Sequence, residues 1–154
     1  MKYIKLKNSK LKTMVDNDDY MKLSIWDWKI HNGYIYRHNP KNQKQRTIYL
    51  HREIMGTPKG LCTDHKNGNK LDNRKKNLRI CTYSQNNSNR GINKKLNKSG
   101  YKGVSWHIRY KKWKANIRVN NKMVFLGSFD DVKEAYKAYC KASVKYQGEF
   151  SKVK

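Results

Sequence analysis

The sequence predicts an α+β protein made of small antiparallel sheets and short helices, and three observations carry that reading. Runs of alternating apolar and polar residues, too short for helices, recur along the chain with turns such as His31-Asn32-Gly33 and Asn120-Asn121 between them. Between Leu61 and Asn87 the signals come in the order strand, loop, strand, helix. After Gly100 three strand-like runs, Tyr101 to His107, Trp113 to Val119 and Lys122 to Phe129, precede one amphipathic segment over Asp131 to Tyr146.

The elements follow in order. Residues 2–7 alternate lysine with apolar side chains and predict a strand, and Lys10 to Val15 predicts a second. Asp16-Asn17-Asp18-Asp19 places acids where a helix dipole favours them, so a short helix is expected through Leu23. Ile25 to Ile30 and Tyr34 to Arg37 alternate again and are expected to pair across His31-Asn32-Gly33. A polar loop covers Pro40 to Gln45. Thr47 to His51 predicts a strand passing into a helical turn at Arg52-Glu53-Ile54-Met55, which Gly56 and Pro58 end. Leu61-Cys62-Thr63 predicts a brief strand that delivers Asp64-His65. In the loop beyond, Asn67-Gly68 supplies a left-handed turn, and Asp72-Asn73 caps a helical turn over Arg74-Lys75-Lys76. Leu78 to Cys81 returns as a strand, and Thr82-Tyr83-Ser84-Gln85 has the capping-box spacing that starts a helix carrying Asn86.

Composition narrows the partner. The formal net charge is +25, and it divides into +16 over residues 1–99 and +9 over residues 100–154, so the whole chain is basic instead of a neutral enzyme with a basic tail. Such self-repulsion calls for a polyanion, and nucleic acid is the expected one. No run approaches the ~20 apolar residues of a membrane span, and the alternating N-terminus has no secretory pattern. The 3 cysteines, Cys62, Cys81 and Cys140, form no Cys-x-x-Cys pair. Reduced packing thiols in a cytoplasmic compartment are therefore expected, not a disulfide framework or a zinc site.

Phosphodiester hydrolysis defines what a site in the Asp64 to Asn87 stretch would need. A base must take a proton from the attacking water, which His65 does near neutral pH. An electropositive centre must face the phosphate and the leaving oxygen, and a divalent ion on Asp64 and the side-chain oxygen of Asn86 would provide it. Oxygen ligands and partial hydration suit Mg2+, or Mn2+, better than zinc. Asn77 is the candidate to orient the imidazole. Neighbours on a regular strand face opposite ways, so Asp64 and His65 share a site only at a strand end or bulge. Lys66, Lys70, Arg74 and Lys75 around the loop, and Arg90, Lys94 and Lys95 in the Gly/Asn/Lys-rich stretch from Arg90 to Gly100, are candidates for phosphate contact. His51 reads as support for the fold or a phosphate contact, and His31 and His38 have no catalytic context.

From about Ile48 to Gly91 the chain resembles the HNH endonucleases of phage and intron homing type. The pattern is Leu50-His51-Arg52, Asp64-His65-Lys66-Asn67-Gly68-Asn69-Lys70, Asp72-Asn73, Asn77-Leu78 and Gln85-Asn86-Asn87. The resemblance implies a ββα-metal nuclease module with His65 as general base, Asn77 orienting it, and Asp64 with Asn86 on one divalent ion. It also implies 5′-phosphate and 3′-hydroxyl products and a bacteriophage or other mobile-element origin. Asn86 stands where many relatives carry His.

In the C-terminal part the middle strand alternates Ala115, Ile117 and Val119 with Lys114, Asn116 and Arg118, so one face is apolar and the other suits DNA. Val132, Ala135, Tyr139, Ala142 and Tyr146 form the expected core stripe of the last helix, with Asp131 and Glu134 marking its start and Gly148 its end. Tyr101-Lys102-Gly103-Val104, Trp113 to Ile117, Phe125-Leu126-Gly127-Ser128-Phe129 and Ala135-Tyr136 through Tyr146-Gln147-Gly148-Glu149-Phe150 resemble the Apetala/ethylene-response-factor DNA-binding domain (AP2/ERF-like). That resemblance implies a three-stranded sheet, packed on one helix, lying in the major groove with Lys102, Ser105, His107, Lys114, Asn116, Arg118 and Phe125 toward DNA.

The expected organisation is a β-rich region over 1–47, a nuclease module over 48–91, a basic linker over 92–100 and a DNA-binding domain over 101–150. The expected function is a site-specific, metal-dependent DNA endonuclease acting on double-stranded DNA, as a monomer that nicks or a dimer assembled on DNA, without an obligate protein partner. A non-catalytic DNA-binding regulator is the alternative. A basic RNA- or ribosome-binding protein would explain the charge but not the quartet Asp64, His65, Asn77 and Asn86.

Overall fold

The computed structural model describes residues 1–39, 47–92 and 97–153. The polar loop beginning at Pro40 lies outside the described residues, as do the linker lysines Lys94 and Lys95. The α+β class is borne out: the described chain forms small antiparallel sheets with four helices, in two compact units, residues 1–83 and 84–154.

In the first unit β1 (Lys2–Leu6) and β2 (Ser9–Val15) form a hairpin, with α1 (Asn17–Ser24) after it. A second sheet has the order β3-β4-β5, from Lys29–His31, Tyr34–His38 and Thr47–Tyr49. His31 pairs with Tyr34 around a two-residue turn whose Asn32 and Gly33 take φ of 49° and 79°, the left-handed conformations such a hairpin needs. Helix α2 (Leu50–Met55) ends at Gly56, which is left-handed. Strands β6 (Cys62–His65) and β7 (Leu78–Cys81) pair antiparallel, and a 3-10 turn over Lys75–Asn77 precedes the second of them.

One apolar cluster joins these pieces. Ile4 and Val15 of the hairpin, Leu23 of α1, Ile35 of β4, Leu50 of α2 and Leu78 of β7 all belong to it, around a fully buried Trp28. Cys62 and Cys81 face each other in register and are buried, as packing thiols should be.

Some local expectations of the first unit change. Ile25 to Asp27 is not strand: α1 runs out at Ile25 in helical conformation, and the Trp28 indole N–H donates to the Leu23 carbonyl at 2.8 Å, closing the chain back on the helix. The alternation there reflects one buried Trp28 beside an exposed Ile25, not a sheet face. Helix α2 starts at Leu50, so His51 is helical and buried, not the end of a strand.

Helix α3 (Tyr83–Asn89) leads into the second unit. Its sheet has the order β10-β9-β8, from Val104–His107, Lys112–Val119 and Lys122–Phe129, and α4 (Val132–Gln147) packs on it. The predicted turn is present, with Asn120 and Asn121 at φ 47° and 63°. Asp131 caps α4, its carboxylate accepting from the N–H groups of Lys133 and Glu134 at 2.8 and 3.0 Å. Tyr101 to Gly103 falls outside the first strand, because Gly103 turns the chain at φ 73°. On α4, Ala135, Tyr139 and Ala142 are buried as expected, but Tyr146 is 46% exposed and Ser143 is buried instead. The C-terminal turn explains the exchange: the Ser143 hydroxyl bonds Gln147 at 2.7 Å and Ser151 at 2.8 Å. Among the described residues no helix is long and apolar enough to cross a membrane.

Candidate active site

The candidate centre of the first unit is built on the end of β6. All four of its residues are buried, and His65 is the last of them, so the chain turns away where the two chemical side chains stand. The turn is tight: Lys66 N–H donates to the Asn77 carbonyl at 2.8 Å and Gly68 N–H to the His65 carbonyl at 2.8 Å. This meets the strand-end condition for neighbouring Asp64 and His65.

Asparagines hold the loop that follows. Asn67 accepts from the Asn69 N–H at 2.8 Å and Asn69 from the Leu71 N–H at 3.0 Å, two side-chain turns in succession. Asn77 joins the two ends, accepting from the Asn67 N–H at 3.1 Å and donating to the Asp72 carbonyl at 2.8 Å. Asp72 takes both arms of Arg74 at 2.6 Å, and that guanidinium holds its carboxyl below the ordinary range.

Side chains of the first unit meet His65 and Asp64 directly. The His65 Nε2 lies 3.1 Å from Asn73 Oδ1, and the Asp64 carboxylate accepts from Arg79 Nε and Nη2 at 2.9 and 2.8 Å. The Asn77 side chain acts on the loop backbone instead of the ring. Burial lowers the His65 pKa, against the opposing pulls of the Asn73 bond and the Asp64 and Asp72 carboxylates. The His51 ring stands 5.3 Å from that of His65, and burial pushes its pKa down to about 3. Asn86 is half-buried on α3, in the second unit.

The basic candidates around the loop already have partners. Lys66 donates to the Lys76 carbonyl at 3.2 Å. Lys70 donates to the Asn32 carbonyl at 3.0 Å and lies 3.7 Å from the Tyr34 ring centre. Arg74 is held by Asp72, and Lys75 by the buried Asp19 at 3.0 Å. In the second unit Arg90 is exposed, whereas Lys102 bonds the Ser88 carbonyl, and burial lowers its pKa. Ser105, His107, Lys114, Asn116, Arg118 and Phe125 all lie on the sheet face opposite α4. Register aligns Ser105 with Lys114 and Phe125 with Asn116 across the strands. Phe125 is 57% exposed, with the Lys114 ammonium 5.5 Å from its ring centre.

Asn73, Arg79 and Thr13 were not singled out as functional from the sequence. Strand pairing could have flagged Arg79, which faces Asp64 once β6 and β7 are aligned. Nothing local points to Thr13, whose contact spans 60 residues.

Residues 44–88 match the family model described as HNH endonuclease, which supports a nuclease. A 50-residue stretch is 40% identical to the AP2-like ethylene-responsive transcription factor TOE2 of Arabidopsis thaliana, covering 32% of this chain and 10% of that protein. A stretch of the same length is 38% identical to APETALA2-like protein 2 of Oryza sativa subsp. indica, covering 32% and 12%. The chain thus spans about a tenth of the length of these curated relatives.

Proposed function

We propose that the protein is a site-specific DNA endonuclease of homing type, in which the first unit hydrolyses the phosphodiester bond and the sheet of the second reads duplex DNA. The observation that carries the reading is His65: a buried imidazole whose pKa burial lowers, at a strand end beside a buried carboxylate. A base of this kind is unprotonated at neutral pH and ready to accept a proton from water attacking phosphorus.

A divalent ion fits the donor set at Asp64. Among the described residues no three His, Cys, Asp or Glu side chains gather into a protein cage, so an ion here would keep several positions for other oxygens. One carboxylate, the remaining positions left to water and phosphate oxygen, is the way Mg2+ is commonly held. Asp64 would hold the ion and Asn86 is proposed as the amide donor. When bound, the ion offsets the charge that builds on the phosphate and the leaving 3′ oxygen. Arg79 keeps the Asp64 carboxylate oriented and neutralised within the protein. Asn77, tied to both ends of the loop, fixes the backbone that presents His65. Cleavage leaves 5′-phosphate and 3′-hydroxyl ends.

The outer sheet face supports the DNA-reading part. It presents Lys114, Asn116 and Arg118 in alternation on one strand with Phe125 beside them, and a major groove admits such a ribbon. Incubating supercoiled DNA with Mg2+, Mn2+ or chelator tests the whole. Wild type should nick or cut only with an ion, and Asp64→Ala and Asn86→Ala should lose activity while still retaining DNA. Retention without any break under every condition would leave a DNA-binding regulator.

A further inference from the structure

We propose that Asn73 is a positioning residue that selects the tautomer of His65, and that Thr13 fixes Asn73 in the orientation this requires. The inference rests on His65 being the base. All three side chains are buried: Thr13 at 0%, Asn73 at 1% and His65 at 5% exposure.

Donor and acceptor roles along this chain of contacts follow from its far end. The Thr13 hydroxyl gives its one proton to the Leu71 carbonyl at 3.0 Å, so toward Asn73 its oxygen accepts. Asn73 Nδ2 donates to that oxygen at 2.8 Å and to the Lys70 carbonyl at 3.0 Å. A carbonyl only accepts, so turning the amide over would set two acceptor oxygens against each other. Both amide hydrogens are then committed, and Oδ1 is the atom left facing His65 Nε2 at 3.1 Å. An amide oxygen cannot donate. Nε2 must carry the hydrogen, and in the neutral ring Nδ1 is then the nitrogen without a proton. Proton abstraction is thereby assigned to Nδ1.

The arrangement gives the N-terminal hairpin a part in the chemistry. Thr13 lies on β2, and two backbone bonds of the next residue fix its register against the loop: Met14 N–H to the Leu71 carbonyl at 2.8 Å and Asn73 N–H to the Met14 carbonyl at 2.9 Å. A slip of β2 by one residue would turn Thr13 away and free the Asn73 amide to rotate.

The test is 15N NMR of the full chain labelled at histidine, without metal or DNA and above the titration of the ring, with His65→Gln to assign the signal. Wild-type His65 should show a protonated Nε2 and an unprotonated Nδ1. Asn73→Ala should populate the Nδ1–H form. Thr13→Val should move the ring the same way, and Thr13→Ser, which keeps the hydroxyl, should restore the wild-type pattern. If Asn73→Ala does not fold, the Thr13 pair carries the test. In cleavage, Thr13→Val should lower kcat ~10–100-fold, the usual effect of losing such a supporting bond, with KM and DNA affinity unchanged. An Nδ1–H tautomer in wild type, or an unaltered tautomer in folded Asn73→Ala and Thr13→Val, would overturn the proposal. The expected tautomers in a wild type that never cleaves DNA would uphold the positioning and sink the nuclease reading instead.

Discussion

Asp64 stands directly opposite Arg79 across the β6–β7 pair, and the guanidinium gives two N–H groups to a single carboxylate oxygen at 2.8 and 2.9 Å. Both side chains are about nine-tenths buried. Arg79→Met therefore leaves a buried carboxylate without this cation, and breaking such a pair costs ~3–5 kcal/mol. Urea denaturation should show that loss in the first unit. Added Mg2+ or Mn2+ should raise the stability of the variant more than that of wild type, since an ion that binds only the native site stabilises it by mass action. Equal midpoints for the two proteins without the ion would refute this role for Arg79.

His51 makes stability fall in acid. Its folded pKa, about 3, lies below the ordinary 6.5, chiefly through burial, with His65, Arg52 and Lys70 adding positive charge nearby. As pH falls through 6.5 the unfolded chain takes the proton first. The stability owed to neutral His51 is complete above that pH and is lost progressively down to about 3, at up to ~1.4 kcal/mol per pH unit. His65, also lowered by burial, acts in the same sense. His51→Phe should flatten the pH dependence of the urea midpoint over this window. An unchanged slope would mean that His51 is not the group responsible.

Gly103 cannot carry a side chain. It sits at φ 73°, and a Cβ there would overlap the Tyr139 ring and lie 2.6 Å from the Asn116 carbonyl oxygen. Gly103→Ala should destabilise the second unit by ~3 kcal/mol or more, combining left-handed strain with displacement of a buried ring. Near-ultraviolet circular dichroism of the tyrosines in that unit, followed through thermal unfolding, would report it. A wild-type melting point would contradict the packing described.

What the sequence made legible was mostly short-range. The hairpin at Asn32-Gly33, the turn at Asn120-Asn121 and the Asp131 cap follow from patterns within a few residues, and they are present. Alternation misled at Ile25 to Asp27, where a single indole plugs the core, because period two marks side-chain direction and not strand pairing. The stripe on α4 failed at Tyr146 because the C-terminal turn returns to cover Ser143, which periodicity along one helix does not register. In the candidate site Asp64 and His65 were legible as a dipeptide at a strand end. The Thr13–Asn73 bond was not, since only the folded sheet and loop bring those positions together.

The outer face of the C-terminal sheet should dominate DNA affinity in the second unit. Arg118→Ala should weaken duplex binding and lower the slope of log affinity against log salt by ~1, the share of one phosphate contact, or broaden site choice if the guanidinium reads a base. Lys141, exposed on α4, which packs on the opposite face, serves as the control. Filter binding at several salt concentrations separates the two. Equal effects of Arg118→Ala and Lys141→Ala would argue for diffuse charge attraction and against a reading face.

The most direct test of the central claim is sequencing of both strand ends after incubating a randomised duplex library with wild type and with His65→Ala, each with Mg2+ and with chelator. Recurrent breaks carrying 5′-phosphate and 3′-hydroxyl ends, present only for wild type with the ion, are the predicted result. Site-selective retention of DNA with intact strands, or breaks that persist in His65→Ala, would contradict the account.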